Sequence, residues 1–329
     1  MMSALPLAVD EQMVRDALPS LDVRGALTAM FRALASADAV QPPQTLTLFP
    51  NGAGDFITYL GALADAKVFG AKLSPYIVTG GKPIITAWTA LMSMETGQPL
   101  MWCDAGLLTT ERTAGTTALA VDQLASADAK RLALIGAGSV ALAHLRHVAP
   151  LRAWESIRVY SPGLAAHDRA DDSVHAAKRA AVLATDARAE VSANIEACVQ
   201  DADVVMLCTS SGTPVLPRGA LPKPALITSI STNAANAHEI DPAWLPEMDV
   251  YCDYRATTPA SAGEMKLAAQ HGWLPAQVKG DLPSLVAGSC EKPAYRRHAF
   301  FRSIGLGLED VAIASELYRH LTSRPTRAQ

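Results

Sequence analysis

The fold is indicated most clearly by one stretch near the middle of the chain, Arg131-Leu132-Ala133-Leu134-Ile135-Gly136-Ala137-Gly138-Ser139-Val140-Ala141. Its apolar run predicts a buried strand, and the residues after the glycines predict the start of a helix. Gly136 allows a tight turn, Gly138 lets the backbone approach a pyrophosphate, and Ala141 allows close helix–strand packing. The helix N-terminus would then receive the diphosphate charge. We therefore predict a dinucleotide site that includes Gly136, Ala137, Gly138, Ser139 and Val140.

Short apolar runs recur after this stretch, with helical segments between them. They cover residues 157–160, 204–208, 226–230 and 250–252. Strands that alternate with helices are typical of a parallel sheet wound on both faces. We predict an α/β fold in which residues 123–304 form a Rossmann NAD(P)-binding domain.

The first third of the chain has a different pattern. Residues 10–37 have helical spacing, and after Pro42-Pro43 several strand-like segments follow, separated by glycine-containing turns. They cover residues 45–49, 56–60, 67–74 and 83–94. A helix is predicted from residue 109 to 124, and another over 307–321. We predict a sheet-rich dimerisation and substrate domain made of residues 1–122 with 305–329, to which the last helix returns.

Composition limits the classes of function. The 329 residues are half hydrophobic, so a sizeable core can form, and the formal net charge of -4 argues against a nucleic-acid partner. The five cysteines include no CxxC pair, which argues against a zinc site or a disulfide framework. No signal peptide and no apolar run long enough for a transmembrane helix is apparent. We expect a cytoplasmic protein without a membrane partner.

The segment Tyr160-Ser161-Pro162-Gly163 ends the second strand of the predicted sheet. An acid at this place would bind the ribose hydroxyls of NAD and repel a 2′-phosphate. Ser161 is neutral, so the pattern favours NADP over NAD as the cofactor. His167 and Arg169 follow closely. They could contact the phosphate, but each alone is better interpreted as a solvated helix residue.

Five stretches around the glycine turn resemble one family. They are Gly70-Ala71-Lys72, Thr96-Gly97-Gln98-Pro99-Leu100, Asp104-Ala105-Gly106-Leu107-Leu108-Thr109, Arg112-Thr113-Ala114-Gly115-Thr116-Thr117-Ala118-Leu119-Ala120 and Phe301-Arg302-Ser303-Ile304-Gly305-Leu306-Gly307-Leu308-Glu309-Asp310. In this order they are similar to the ornithine cyclodeaminase/mu-crystallin family. The resemblance runs from about residue 40 to residue 315.

The resemblance implies a homodimer. It also implies hydride transfer between nicotinamide and the α-carbon of an amino or imino acid, the reaction of the family members. Lys72 and Arg112 match the catalytic lysine and arginine, which contact the substrate carboxylate, and the lysine is also a candidate proton donor or acceptor. Such a pair suits the task, because arginine binds a carboxylate bidentately and a buried lysine changes its pKa. The cofactor residues expected beyond the glycine turn and Ser161 are Thr113, Thr209, Ser210, Ser231 and Ser303.

Two positions depart from the family pattern. Gln44 follows the proline pair where many members have a cation, and Asn233 follows the fifth strand where cyclodeaminases have an aspartate. We assign both, with Lys72 and Arg112, to substrate binding. An amide cannot act as a carboxylate base, so Asn233 argues against ornithine cyclisation.

These observations favour an NAD(P)H-dependent reductase of an imino acid (a ketimine), a class that includes cyclic compounds such as pyrroline-2-carboxylate. Two alternatives stay open: a cyclodeaminase-type ammonia-lyase with bound NAD, and a mu-crystallin-like protein that binds NADPH or a small molecule. Asp253 and Glu264 are interpreted as structural residues. His144 and His147, on the first dinucleotide helix, are expected to face solvent.

Overall fold

The computed structural model describes residues 5–165, 172–232 and 236–323. The chain divides into two compact units, residues 1–112 with 305–329 and residues 113–304. The sequence placed the first boundary at 122/123, whereas the units divide inside the helix Gly106–Leu124. The reason lies in the side chains of this helix: Arg112 pairs with Glu309 in the first unit, and Thr117 bonds His144 in the second.

The described strands fall into two sheets. In the first unit they are β1 (Leu7–Val9), β2 (Ala39–Val40), β3 (Thr45–Leu48), β4 (Gly54–Leu63), β5 (Val68–Ile77), β6 (Ile84–Ile85), β7 (Trp88–Ser93) and β8 (Pro99–Asp104). In the second they are β9 (Arg131–Ile135), β10 (Ser156–Tyr160), β11 (Ala189–Val191), β12 (Val204–Leu207), β13 (Leu226–Ser229), β14 (Asp249–Cys252), β15 (Gly280–Asp281) and β16 (Ala299–Arg302).

The helices alternate with the strands mainly in the second unit. They are α1 (Glu11–Ala17), α2 (Val23–Ala35), α3 (Gly106–Leu124), α4 (Ser139–Val148), α5 (Pro162–Ala165), α6 (Asp172–Thr185), α7 (Ile195–Val199), α8 (Thr258–Ser261), α9 (Gly263–Ala268), α10 (Leu282–Val286) and α11 (Gly307–Ser323). Short 3₁₀ helices complete the set, at Leu18–Ser20, Pro50–Gly52, Ala149–Leu151, Pro242–Glu247, Ala269–His271 and Pro275–Gln277. No helix in the described part of the chain has the length and apolar character needed to span a bilayer.

In the first unit, the sheet has the order β1-β8-β7-β5-β4-β2, with β3 on β4 and β6 on β5. Helix α11 covers one face, and two glycines allow it to come very close. A Cβ on Gly61 would lie 2.7 Å from the Leu308 Cα, and one on Gly307 would lie 2.4 Å from the backbone of Leu60. The start of α11 therefore rests directly on the backbone of β4, which carries its first acidic residues over the sheet.

The opposite face of this sheet is apolar and open to solvent. Alternate residues of a strand point to opposite faces, and the register places one set of large side chains together on this side. Each is 37–41% exposed. We call this set the open face; it consists of Leu60, Phe69, Leu73, Ile77 and Trp102.

In the second unit, every paired strand of the sheet is parallel, in the order β11-β10-β9-β12-β13-β16-β14-β15. Strands β12 and β13 are buried along their whole length, as expected when helices cover both faces. In a parallel sheet all carboxyl ends lie at one edge, and ligands bind beyond that edge. The loops after β9, β10, β12, β13 and β16 therefore share the edge at which a dinucleotide would bind.

Candidate active site

Lys72 lies in the middle of β5, directly opposite Tyr59 on β4, and is 1% exposed. Its Nζ is 2.9 Å and 3.0 Å from the two carboxylate oxygens of Asp310. It also lies 3.4 Å from the Thr109 hydroxyl and 4.2 Å from the centre of the Tyr59 ring. The aromatic ring and the carboxylate together fix the position of the ammonium group.

Arg112, on α3, joins the same group of charges and is 5% exposed. Its Nη1 donates to Glu309 at 3.1 Å, and its Nε donates to Asp310 at 3.0 Å. Gly305 makes room for the guanidinium, because a Cβ there would lie 2.2 Å from Nη1. Gly305 also has a φ of +76°, which an L side chain rarely adopts. We call Lys72, Arg112, Glu309 and Asp310 the charged cluster.

The charged cluster is balanced, with two cations against two carboxylates. Buried charges need partners of opposite sign, since an unpaired one would cost several kcal/mol. The sequence placed both cations in the site but gave no role to the two acids, although both lie in the stretch that carries the family resemblance. The signal that could have identified these acids is their position as an adjacent pair at the start of a helix.

The surroundings move the pKa values of this cluster in different directions. Burial, helped by the charge of Arg112, lowers the pKa of Lys72 to about 8, although Asp310 and Glu309 act in the opposite direction. For Arg112, burial lowers the pKa, but the two carboxylates outweigh it and the pKa is raised. Arg112 therefore stays charged, while Lys72 can exchange a proton near neutral pH.

Of the other two substrate residues predicted from the sequence, the structure describes only one. Gln44 immediately precedes β3, beside β4, and is partly exposed. Asn233 lies outside the described residues. The structure adds Asp55, which is four residues before Tyr59 on β4 and so faces the same side of the sheet as Tyr59 and Lys72. Asp55 is partly exposed, and it marks a second, acidic position along this face.

The glycine turn fits a dinucleotide. Gly136 has a φ of +128°, and a Cβ there would lie 2.3 Å from the carbonyl oxygen of Cys208. Gly138 is exposed, and nothing lies within 4 Å of the place where its Cβ would be. Helix α4 begins at Ser139, directly after this open space, and no side chain caps it. Exposed backbone amides next to open space are what a pyrophosphate requires.

The remaining cofactor candidates lie mostly at the same edge of the parallel sheet. Each lies within three residues of the end of a strand: Ser161 after β10, Thr209 and Ser210 after β12, Ser231 after β13 and Ser303 after β16. Thr113 differs, since it lies on α3 and is half-buried, and its carbonyl accepts a bond from the Thr117 hydroxyl.

Glu239 organises this edge and was not singled out from the sequence. Its side chain is fully buried and lies between the loops that follow β12 and β13. One carboxylate oxygen accepts from the backbone amide and the hydroxyl of Thr209, at 2.8 and 2.7 Å. The other accepts from the Ser229 hydroxyl and from the amides of Ile230 and Ser231, at 2.8, 2.9 and 3.1 Å. Glu239 therefore holds both loops through neutral donors.

Two further buried acids hold the end of β16. The Asp253 carboxylate accepts from the Ser303 hydroxyl at 3.1 Å and from the Ile304 amide at 2.7 Å, and burial raises the pKa of Asp253. Glu264 pairs with Arg302, 2.7 Å apart. The Ser303 hydroxyl is thus oriented by Asp253.

The expectation that His144 faces solvent is wrong. The side chain is completely buried, with Nδ1 2.7 Å from the Val140 carbonyl and Nε2 3.0 Å from the Thr117 hydroxyl. Each ring nitrogen has a partner, so this histidine connects α4 to α3. His147 is partly exposed.

Comparison with known proteins gives consistent results. The sequence model of the ornithine cyclodeaminase/mu-crystallin family matches residues 7–324. The chain is 54% identical to an NAD(P)H-dependent anabolic L-arginine dehydrogenase of Pseudomonas aeruginosa, covering 97% of this chain and 98% of that protein. It is 28% identical to an iminosuccinate reductase of Paracoccus denitrificans, covering 78% and 79%.

Among solved structures, the fold is similar to that of Δ1-pyrroline-2-carboxylate reductase of Thermococcus litoralis, in complex with NADH and L-proline. The TM-score is 0.85 at 20% identity, covering 96% of this chain and 97% of that one. At this identity the similarity concerns the fold alone.

Proposed function

The chain belongs to the ornithine cyclodeaminase/mu-crystallin family, and we propose that it is an NAD(P)H-dependent reductase that makes an α-amino acid from an α-imino acid. The expected family, fold class, enzyme class and nicotinamide cofactor are thereby confirmed. The observation that carries the proposal is the charged cluster, in which two buried cations, Lys72 and Arg112, both pair with the Asp310 carboxylate.

Such a pair of cations suits an α-carboxylate. The guanidinium of Arg112 can bind the two carboxylate oxygens with parallel N–H bonds, and the Lys72 ammonium adds a point charge. Holding the carboxylate fixes the position of the adjacent α-carbon. When bound, the reduced nicotinamide supplies a hydride to that carbon. The protein's task is to hold the imine and to provide the proton for its nitrogen.

Lys72 is the residue we assign to proton transfer. With a pKa near 8 it is mainly protonated at pH 7, and it can release a proton without a large free-energy cost. Asp310 keeps the ammonium charged in the dry interior and stabilises it after the proton returns. For an open-chain substrate the net reaction joins a 2-oxo acid, ammonium, NAD(P)H and a proton, and it yields the amino acid, NAD(P)⁺ and water.

We infer that the substrate carries a distal cation, as L-arginine does. The support is the close relative named as an L-arginine dehydrogenase, together with Asp55. Four residues along a strand correspond to about 13 Å, the length scale of an extended arginine skeleton with an ion-pair contact at each end. Asp55 would receive the guanidinium group, and the charged cluster would hold the carboxylate. A flat cyclic imine such as pyrroline-2-carboxylate makes no use of this acid.

The two alternatives are weaker. A cyclodeaminase-type lyase loses support from the high identity to a dehydrogenase. A purely binding protein would have no need to retain a buried lysine whose pKa lies near 8.

An assay separates these possibilities. NADPH and NADH oxidation should be followed with 5-guanidino-2-oxopentanoate and ammonium, with pyruvate and ammonium, and with pyrroline-2-carboxylate. We expect steady cofactor oxidation, fastest with the guanidino acid, and L-arginine as the product. Ammonia release from L-ornithine without net cofactor turnover would instead establish the lyase. Cofactor binding without turnover of any of these compounds would establish the binding protein.

We also propose that the protein is a homodimer and that the open face is covered by a second copy. A contiguous apolar surface of this kind rarely stays exposed on a soluble monomer. Trp102→Asp and Leu60→Asp should each convert the dimer to a monomer, as measured by light scattering. A wild-type monomer at micromolar concentration would contradict the proposal.

A cytoplasmic location is proposed on the state of the thiols. In the described part of the chain Cys103, Cys198, Cys208, Cys252 and Cys290 are all free, and the first four are buried. Reduced cysteines are typical of the cytoplasm.

A further inference from the structure

The loop after β10 lies where dinucleotide-binding folds distinguish NAD from NADP. An acid there binds the ribose hydroxyls, and a nearby cation accommodates a 2′-phosphate. Ser161 occupies this position and is partly exposed. A serine can donate a hydrogen bond to either cofactor, so it leaves open which residue recognises the phosphate.

Lys178, from helix α6, reaches this loop. A Cβ built on Gly163 would lie 3.1 Å from the Lys178 Nζ, so the ammonium group rests against the backbone two residues after Ser161. The ring of His175, one turn earlier on α6, bonds the carbonyl of Gly163 through Nδ1. Helix α6 is therefore tied to the loop at the same point, and Lys178 has a defined place beside it.

Two other lysines of this unit are held by acids. Lys130 pairs with Glu155 at 2.6 Å, and Lys223 pairs with Asp203. For Lys178 no hydrogen bond or ion pair with any of the described residues is found. The side chain is exposed. An ammonium that has no acid partner in the described part of the chain, and that rests against Gly163 two residues after the neutral Ser161, is suited to an anion.

We propose that Lys178, together with the Ser161 hydroxyl, binds the 2′-phosphate of NADPH and sets the preference for NADPH over NADH. A lysine on a flexible stem can withdraw when the phosphate is absent, so NADH is still accepted. The inference rests on the proposed function only in that the protein must bind a nicotinamide dinucleotide. It does not depend on which imino acid is reduced.

Binding of cofactor fragments tests it without catalysis. Adenosine 2′,5′-bisphosphate and 5′-AMP differ by the 2′-phosphate, and their Kd values can be measured by calorimetry on the full-length protein. Lys178→Ala should weaken the bisphosphate by about tenfold or more, because a charged hydrogen bond is lost. The affinity for 5′-AMP should not change. Lys130→Ala is the matched control, since it removes the same charge just before β9, at the opposite edge of the sheet, and should alter neither Kd.

Two more variants make the test decisive. Lys178→Arg should keep the discrimination, because the cation is retained. Ser161→Asp should weaken the bisphosphate and NADPH while leaving NADH binding in place. The proposal is overturned if Lys178→Ala leaves both affinities unchanged, or if it weakens both fragments equally. Since no imine is present, these outcomes are independent of whether the reductase assay succeeds.

Discussion

The two units each bury carboxylates at a candidate site, but they neutralise them differently. In the first, Glu309 and Asp310 meet the cations Arg112 and Lys72. In the second, the described partners of Glu239 are neutral amides and hydroxyls. In our proposal the first arrangement presents charge to a charged substrate. The second uses one carboxylate to hold two loops. Removing a charge should therefore affect chemistry in one unit and cofactor affinity in the other.

The largest effect is expected for Arg112→Ala. A buried charge pair that loses one partner typically costs about 2–5 kcal/mol, so kcat/KM should fall by roughly 30-fold to several thousand-fold. Cofactor affinity should be retained, because the glycine turn is untouched. Steady-state kinetics and a cofactor titration on the same preparation measure both.

Arg319→Ala is its control, since it removes an arginine of the same unit from an exposed pair with Glu316 and should change little. A near wild-type kcat/KM for Arg112→Ala would contradict the proposal that the charged cluster binds the substrate carboxylate.

Glu239→Gln addresses the other half of the comparison. The NH2 group of the glutamine would face the amide and hydroxyl donors that now bond the Glu239 carboxylate, so several of these hydrogen bonds would be lost. The affinity for NAD(P)H should therefore fall by roughly 10- to 100-fold. The KM for the imino acid, extrapolated to saturating cofactor, should stay the same. Glu247→Gln, in an exposed pair with Arg218, is the matched control. If Glu239→Gln weakened NAD(P)H binding and raised the KM for the imino acid equally, its role would not be specific to cofactor binding.

Asp55→Asn sharpens the description of the first unit by testing its distal acid. If Asp55 receives a guanidinium, kcat/KM for 5-guanidino-2-oxopentanoate should fall by about tenfold, the value of one charged hydrogen bond. Activity with pyruvate should not fall, since pyruvate has no distal cation. The ratio of the two substrates is the measurement, and an unchanged ratio would place the guanidinium elsewhere.

A pH dependence, rather than a loss of activity at neutral pH, is expected from Lys72. Its pKa is lowered to about 8, so the ammonium form is lost as the pH rises through that value. Imine reduction, which needs the proton, should decline above about pH 8, by up to about tenfold per unit. Amino-acid oxidation needs the free amine and should rise over the same range. A reductive profile that stays flat from pH 7 to 9.5 would remove Lys72 from proton transfer.

The parallel sheet of the second unit could largely be predicted from the sequence. Strands β9, β10, β12, β13 and β14 lie where the apolar runs predicted them, because buried parallel strands are continuously apolar. Strands β11, β15 and β16 were missed. Strands β11 and β15 have only three and two residues, and β16 ends in Arg302, whose buried charge is paired with Glu264. A partner that distant in sequence cannot be seen in a local pattern.

The first unit was predicted less well. The single helix expected over residues 10–37 is two helices, since Pro19 lies in the 3₁₀ segment between α1 and α2. Strand β8 was not predicted, although it contributes Trp102 to the open face. Lys72 and Arg112 were identified from the family resemblance. Asp310 joins the charged cluster only through the return of α11, and Tyr59 contacts Lys72 only through the sheet register. Contacts of this kind depend on tertiary structure.

The contact between Lys72 and Asp310 joins residues 238 positions apart, and it exists because glycines let α11 touch β4. During synthesis, the core of the first unit therefore cannot be completed until the C-terminal helix α11 has been made. Until then β4 and β5 lack the helix that covers them, and long-range closure of this sort slows folding and favours aggregation. A chain that stops after Ile304 should thus accumulate in inclusion bodies. Supplying the missing helix as a separate peptide during refolding should recover part of the soluble protein.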